Sequence, residues 1–433
     1  MMAAPELVIR NARRLGRAVD LLVSGGKVLE LAEHAPDRNF GGAKIVDAGG
    51  AMLLPALIDA HAHLREPGFE YKEDIASGLA AAAHGGFGRI MCMANTRPVN
   101  DHAAVTQAML DAARKAWPQG PVLHPIGALT KELKGQELAP MTELAEAGCA
   151  AFSNDGLPVA DTERFRRALE YAAGVGRPVI DHCEDPHMAP AAGVNEGATS
   201  SRLGLRGQPD VAEAVQVARD ILLAEYLNVP VHLAHISCIR SLELIRAAKA
   251  RGAAVTAETC PHYLLLTEQA VDGYRTEAKV NPPLRTQADV QAMRAAIADG
   301  TIDMLATDHA PHAAHEKDVE FDLAPCGISG LDAALPLTWE LLREGVIDEA
   351  IFCRLWHERP AEVFGLPVNR FQPGDAADFI LFDPEACWTL TAETMHSKGK
   401  NTPFLGREMR GRCTLLALAG NVVLGKVSYS PQP

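Results

Sequence analysis

The chain has 433 residues, 48% of them hydrophobic, and a formal net charge of −14. That length suits one large barrel with a smaller module, or two to three average domains, and the apolar share excludes a disordered chain. The acidic balance excludes nonspecific nucleic-acid binding and leaves no basic face for an anionic membrane, although one local arginine can still hold an anionic substrate.

Residues 1–55 read as short strands: ELVIRNARRL, then AVDLLVSGGKVLELAE with Gly25-Gly26 at its bend, then AKIVDAGGAMLL. The N-terminus lacks the basic-then-apolar order of a signal peptide, and no apolar run reaches the roughly 18 residues of a membrane span. Nine cysteines without a CxxC pair read as reduced thiols. A soluble, cytoplasmic protein is expected.

From residue 56 eight apolar runs alternate with helical stretches. The runs are ALIDAH (56–61), RIMCMAN (89–95), VLHPIGA (122–128), CAAFSND (149–155), PVIDHC (178–183), PVHLAH (230–235), AVTAET (254–259) and DMLATD (303–308). Helical patterns such as DIASGLAAAAHGG, VTQAMLDAARKAW and ERFRRALEYAAGVG separate them, with Gly85, Gly174 and Gly252 as expected C-terminal caps. After residue 368, ADFILFDPE and CTLLALAGNVVLGKVS repeat the texture of the N-terminus. The expected fold is therefore α/β: a (β/α)8 TIM-like barrel over 56–367, with a small β-sandwich domain built from 1–55 and 368–433. No GxGxxG or GxxxxGK[ST] follows any strand, so nothing supports nucleotide binding.

Six metal-capable residues end these runs: His61, His63, Asp155, His182, His235 and Asp308. A structural zinc site draws on close pairs in one or two loops, whereas ligands spread over five strands suit the mouth of a barrel. His61 and His63 stand two apart on a strand, face the same way and can grip one metal. Asp308, in ATDHAPH, can bind metal and shuttle a proton between water and a leaving nitrogen; its plainer alternative is a helix N-cap. His309 is expected to point the other way and His232 to be a packed strand histidine, while the role of His262 stays open.

HAHLREPG (61–68), MANTRP (93–98), NEG (195–197) with LGL (203–205), NPPLR (281–285), ATDHAPH (306–312) and SKGKNTPF (397–404) together resemble dihydroorotases of the amidohydrolase superfamily. The resemblance covers nearly the whole chain. It implies a metal-dependent cyclic amide hydrolase that interconverts N-carbamoyl-L-aspartate and L-dihydroorotate in pyrimidine synthesis, using metal-activated water with Asp308 as general acid and base. It implies His61, His63 and Asp308 around a first metal, His182 and His235 around a second, and Asp155 shared. Many relatives use a carboxylated lysine as the shared ligand, but no lysine occurs between Lys134 and Lys249. Nitrogen and oxygen ligands without thiolate suit zinc, one or two ions per subunit, although Mn, Co or Fe would also fit.

On the substrate side the resemblance implies Arg65 as a clamp on the ring carboxylate, Asn95 and Asn281 as polar contacts, His312 completing the carboxylate pocket, and the backbone at Cys326 and Gly327 meeting the pyrimidine edge. The stretch 313–323 reads as a mobile cover or an ordinary loop. A homodimer, and association with aspartate transcarbamoylase, follow from the same resemblance. Departures are Ala94 for a proline, Asn154 where an acid is common, Cys183 after His182, Cys326 for an aromatic, and CPHY (260–263), which looks more like hydantoinases and allantoinases. The alternatives are such a sister cyclic amidohydrolase and a noncatalytic scaffold for the transcarbamoylase. The first would carry a bridging lysine and lack Arg65; the second would have lost metal ligands.

Overall fold

The computed structural model describes residues 4–188 and 192–425, so Lys426–Ser428 of the last expected strand lie outside the described residues. The chain opens with β1 (Leu7–Arg14), β2 (Arg17–Ser24), β3 (Lys27–Glu33), β4 (Lys44–Asp47) and β5 (Met52–Pro55). Gly25 and Gly26, both at positive φ, make the two-residue turn between β2 and β3.

Eight parallel strands follow: β6 (Leu57–Ala62), β7 (Phe87–Cys92), β8 (Val122–Ala128), β9 (Ala151–Ser153), β10 (Val179–Asp181), β11 (Val231–Leu233), β12 (Val255–Thr259) and β13 (Met304–Leu305). They pair in sequence order. The ring closes where Ala62 bridges His309 and the His63 amide donates to the His309 carbonyl at 2.8 Å. A helix after each strand shields the outside, as the alternation of apolar runs and amphipathic stretches dictates. The helix Ile75–His84 starts at Asp74, whose carboxylate accepts from the Ser77 amide at 2.7 Å, and buries Ile75, Leu79 and Ala82. Gly85 caps it as expected, but Gly174 is the last residue of its helix and the chain reverses at Gly176, at positive φ. Inside the barrel Ala60, Met91, Ile126, Ile180, Ala234 and Met304 fill the lower layers, and Phe364 joins them from the helix Arg359–Phe364. The upper layer is left to polar residues.

The chain then returns with β14 (Phe379–Thr389), β15 (Glu408–Leu418) and β16 (Asn421–Leu424). β14 pairs antiparallel with β5, Phe379 opposite Pro55 and Leu381 opposite Leu53, so both ends of the chain share one eight-stranded sheet. Ile9, Leu21, Leu53, Phe379 and Leu381 form its apolar core. Among the described residues no helix is long and apolar enough to cross a membrane.

Candidate metal centre and substrate cavity

The six candidate ligands converge at the carboxyl ends of the barrel strands, where βα loops leave the ring. His61 and His63 stand at the end of β6, Asp155 two residues beyond β9, His182 directly after β10, His235 beyond β11 and Asp308 beyond β13. His235 and Asp308 adopt φ of 33° and 45°, and Arg65 one of 63°. Left-handed backbone at residues with a Cβ is disfavoured, and here it turns three polar side chains into the mouth.

Asp155 is the common member of two groups. Its Oδ1 and Oδ2 lie 3.3 and 3.4 Å from Nε2 of His61 and His63, and its Oδ1 lies 3.5 and 3.4 Å from Nδ1 of His182 and Nε2 of His235. Asp308 Oδ1 stands 3.1 Å from His63 Nε2 and 3.5 Å from His61 Nε2. Burial opposes charge on Asp155, but the imidazoles of His61, His182 and His235 overcome it and hold the carboxyl well below its usual range. Asp308 is lowered in the same way, against burial, by His63 and His61.

These distances test the site for a cation. His61 Nε2 is fully buried and makes no hydrogen bond among the described residues. His182 Nδ1 and His235 Nε2 face each other at 2.8 Å, an arrangement of ring nitrogens that a shared electrophile would satisfy. Most of the nitrogen–oxygen separations match the edge of about 3.4 Å of a tetrahedron with bonds near 2.1 Å. The donor set is imidazole and carboxylate without thiolate, so the residues fit divalent metal.

Behind the ligands lie residues that the sequence did not disclose. His61 Nδ1 donates to Glu258 Oε1 at 2.7 Å, which leaves its Nε2 lone pair toward the centre. The other Glu258 oxygen accepts from His232 Nε2 at 3.1 Å, and Thr256 Oγ1 closes the chain at 2.8 Å from His232 Nδ1. His232 is thus packed, as expected, but it also steadies a ligand through Glu258. His63 Nδ1 donates to Asn95 Oδ1 at 2.9 Å, and His182 Nε2 to Glu184 Oε2 at 2.8 Å. Glu184 in turn accepts from Asn281 Nδ2 at 2.8 Å and from Gln208 Nε2 at 2.6 Å. Asn95 and Asn281 therefore orient ligands as well as bordering the cavity. His309 faces away from the centre, toward Glu73 at 3.3 Å and the Gly330 amide at 3.1 Å. His262, left open by the sequence, is buried beside Cys260 and Asp308, and its Nε2 has no hydrogen-bond partner among the described residues. Glu258 stands one residue before the end of the run AVTAET, so its place near a strand end was the available signal.

Every other candidate site residue lines one cavity of about 240 Å³, and His61 lies beneath it. Arg65 lies half-buried in its wall; Nε donates to the Pro311 carbonyl at 3.2 Å, and the terminal nitrogens have no hydrogen-bond partner among the described residues. His312 donates from Nε2 to the Cys326 carbonyl at 2.9 Å, and burial with Arg65, Lys317 and Lys72 nearby lowers its pKa to about 2, so it is neutral. Gly327 has φ 147°, and a Cβ there would stand 2.5 Å from the Ala310 carbonyl oxygen. The stretch 313–323 is anchored at two points, with Phe321 buried and Lys317 Nζ donating to the carbonyls of Thr276 and Pro325 at 3.0 and 2.7 Å, while most of its other residues are exposed.

Two of the departures have local reasons. Asn154 accepts from the Thr130 amide at 3.0 Å while donating to Thr130 Oγ1 at 2.7 Å, a pairing that an ionised acid cannot make. The Cys183 thiol is buried, lying 3.5 Å from the Asp181 carbonyl and 3.8 Å from Asp220 Oδ2.

A family model described as Dihydro-orotase-like matches residues 50–241. A protein of Geotalea daltonii named Dihydroorotase is 48% identical over 418 residues, covering 96% of this chain and 97% of that one. Its namesake in Syntrophotalea carbinolica is 46% identical over 98% of this chain and 99% of its own. Among solved structures, an L-hydantoinase from Arthrobacter aurescens superposes with a TM-score of 0.86 at 22% identity, over 98% and 97% of the two chains, which shows a shared fold. With relatives this similar along almost its entire length, the chain belongs to the dihydroorotase family.

Proposed function

We propose that the chain reversibly closes N-carbamoyl-L-aspartate into L-dihydroorotate in pyrimidine synthesis. Its identity to proteins named Dihydroorotase supports this. The observation that carries it is Arg65, a half-buried guanidinium with unused terminal nitrogens in the same cavity as Asp155 and Asp308. An anionic ring can set its carboxylate on that planar fork and present its amide to the acidic end. Hydantoin and dihydrouracil bear no carboxylate, so they would leave the guanidinium without an anionic partner, which disfavours the sister activities.

His61, His63 and Asp308 would hold one divalent ion and His182 and His235 a second, with Asp155 between them. Zinc suits these donors. Such ions supply Lewis-acid polarisation of a carbonyl and lower the pKa of water from 15.7 to about 7. Asp308 does the proton work: its carboxylate accepts a proton from the attacking water and delivers it to the ring nitrogen as the C–N bond breaks. In closure the same carboxylate first takes the amide proton. His312, neutral and with its Nε2 proton committed to Cys326, shapes the carboxylate end without adding charge. We take the barrel over 56–367 to carry the chemistry and the terminal sheet to brace it. Nine cysteines without a disulfide support a reducing, cytoplasmic setting. Association with aspartate transcarbamoylase is testable by co-purification.

The test is turnover of L-dihydroorotate by zinc-supplemented protein, with hydantoin, dihydrouracil and allantoin alongside and metal counted on the same sample. Preference for dihydroorotate with close to two metals per chain is expected. In Arg65→Lys the KM for carbamoyl aspartate should rise at unchanged metal content. Equal or better turnover of an uncharged ring would overturn the reading.

A further inference from the structure

Among the described residues three lysine or arginine side chains are buried: Lys279 and Lys317, at 2% and 6% exposure, and Arg285. Arg285 faces an acid, Glu213, at 3.7 Å. Neither lysine forms an ion pair among the described residues, and backbone carbonyls alone receive their protons. Lys279 Nζ donates to the carbonyls of Phe321 and Asp322 at 2.7 and 3.2 Å. Lys317 Nζ donates to those of Pro325 and Thr276 at 2.7 and 3.0 Å and approaches that of Lys279 at 3.5 Å. A buried charge without a counter-charge is costly, and stapling loops together does not require one. The two bonds of Lys279 lie within the capacity of a glutamine amide. Two such charges side by side add to the cost. Burial, with Lys279 and Arg65 nearby, lowers the pKa of Lys317 to about 8, so it is still a cation at neutral pH.

The pair stands directly behind one wall of the cavity. Lys279 precedes the lining residues Val280 and Asn281, and its carbonyl accepts from the Gly327 amide at 2.9 Å. Pro325, held by Lys317, precedes the lining residues Cys326 and Gly327. Lys72, the other lysine beside His312, is already matched by Glu316 at 2.8 Å. The two acids that line the same cavity, Asp155 and Asp308, are engaged by imidazoles, so neither serves the lysines.

We propose that the carboxylate of the bound substrate is the missing counter-charge, and that Lys279 and Lys317 are positioning residues that select an anionic ligand without touching it. The inference rests on the anionic substrate proposed above. Arg65 supplies the direct contact, while the lysines behind the wall set the sign of the potential there and hold Asn281 and Gly327 in place. A neutral ring gains nothing from that potential. A carboxylate is present in the open-chain and cyclic forms alike, so the gain belongs to binding and not to the chemical step. Such uniform binding lowers KM without raising kcat.

The test compares L-dihydroorotate with dihydrouracil, the same ring without the carboxylate, as inhibitors of carbamoyl aspartate closure. It uses the metal-loaded native chain, Lys279→Gln and Lys317→Gln. Glutamine keeps donors for the carbonyls and removes the charge. One buried charge near a ligand anion is worth roughly tenfold at an effective dielectric near 20. In each variant dihydroorotate should therefore bind about tenfold more weakly, with dihydrouracil within about twofold of native. The KM for carbamoyl aspartate should rise by the same factor at unchanged kcat and metal content. Thr276→Val cuts the hydroxyl bond to the Lys317 carbonyl at 2.5 Å and keeps both charges, so it should leave the ratio of the two inhibitors unchanged. An unchanged ratio in both lysine variants, equal weakening of both inhibitors, or loss of the native circular dichroism in both variants would reduce the lysines to packing and overturn the proposal. So would the same fall in ratio in Thr276→Val. A native chain without that closure, or one that dihydrouracil inhibits as well as dihydroorotate, would overturn the proposed function itself and this inference with it.

Discussion

Glu258 is the buried acid on which the centre's geometry turns, because it fixes the tautomer of His61 from one oxygen and is itself fixed by His232 from the other. Burial opposes its charge, and the charges and hydrogen bonds of His61 and His232 lower its pKa below the usual carboxylate range nonetheless. Glu258→Gln keeps the shape and removes the charge. Partners of metal-ligating histidines are worth about 10–100-fold in metal affinity. Zinc retention against a competing chelator is accordingly expected to fall by that factor, with the circular dichroism spectrum unchanged. Retention equal to the native chain's would reduce Glu258 to a packing role. The sequence made the ligand positions readable because each ends an apolar run, but Glu258 lies 197 residues from His61 and nothing local couples them. Partnerships across the barrel are set by strand order and register, which only the folded ring fixes.

At the scale of elements, the eight strands were legible because buried parallel strands are short apolar runs bounded by helix signals. Their ends were less so. β14 extends to Thr389 and β15 begins at Glu408, beyond the apolar runs ADFILFDPE and CTLLALAG, because outward-facing residues such as Glu385 and Arg410 pair across the two strands. The junction between barrel and terminal sheet holds a titratable group that no strand pattern reveals. His357, in the π-helical segment Arg354–Glu358, donates from Nδ1 to the Ala56 carbonyl and accepts at Nε2 from the Asn369 amide, both at 2.7 Å. A second proton would set two donors against each other, and burial lowers the pKa to about 4. The unfolded value is about 6.5, so between these values the unfolded chain binds the extra proton. This contribution to stability is complete above pH 6.5 and is lost as pH falls toward 4. At about 1.4 kcal/mol per pKa unit it amounts to roughly 3 kcal/mol. His357→Gln can keep both hydrogen bonds without titrating, so its urea midpoint should fall less steeply over that window. Some slope will remain, because burial beside Arg89 also lowers His124 to about 4. An unaltered slope would remove His357 from the account.

For the whole molecule, the question is why a barrel that carries its own ligands needs the returning chain at all. The segment after β14 answers it, because Ser397–Thr402 crosses the barrel mouth before β15 begins. Ser397 Oγ donates to buried Glu73, the acid that holds His309. Gly399 passes so close that a Cβ would stand 2.5 Å from Pro311 Cβ and 2.8 Å from the His312 nitrogen. Asn401 then ties both cavity loops together: its Oδ1 accepts from the His312 amide at 2.7 Å and Ser329 Oγ at 2.9 Å, and its Nδ2 donates to the carbonyls of Ala310 and Gly327 at 3.0 and 2.9 Å. These contacts reach the loops that border Arg65 and His312, whereas the metal ligands are braced from inside the barrel. Cutting them should therefore separate substrate binding from metal binding. Asn401→Ala leaves four buried groups without a partner, each worth about 1–3 kcal/mol when wholly unsatisfied, and the loops will relax toward water to recover some of that loss. The expected result is a KM for carbamoyl aspartate raised by an order of magnitude or more, with metal content within error of the native chain. Loss of metal in step with activity would show instead that the returning segment holds the whole barrel mouth, and that the two ends of the site cannot be separated.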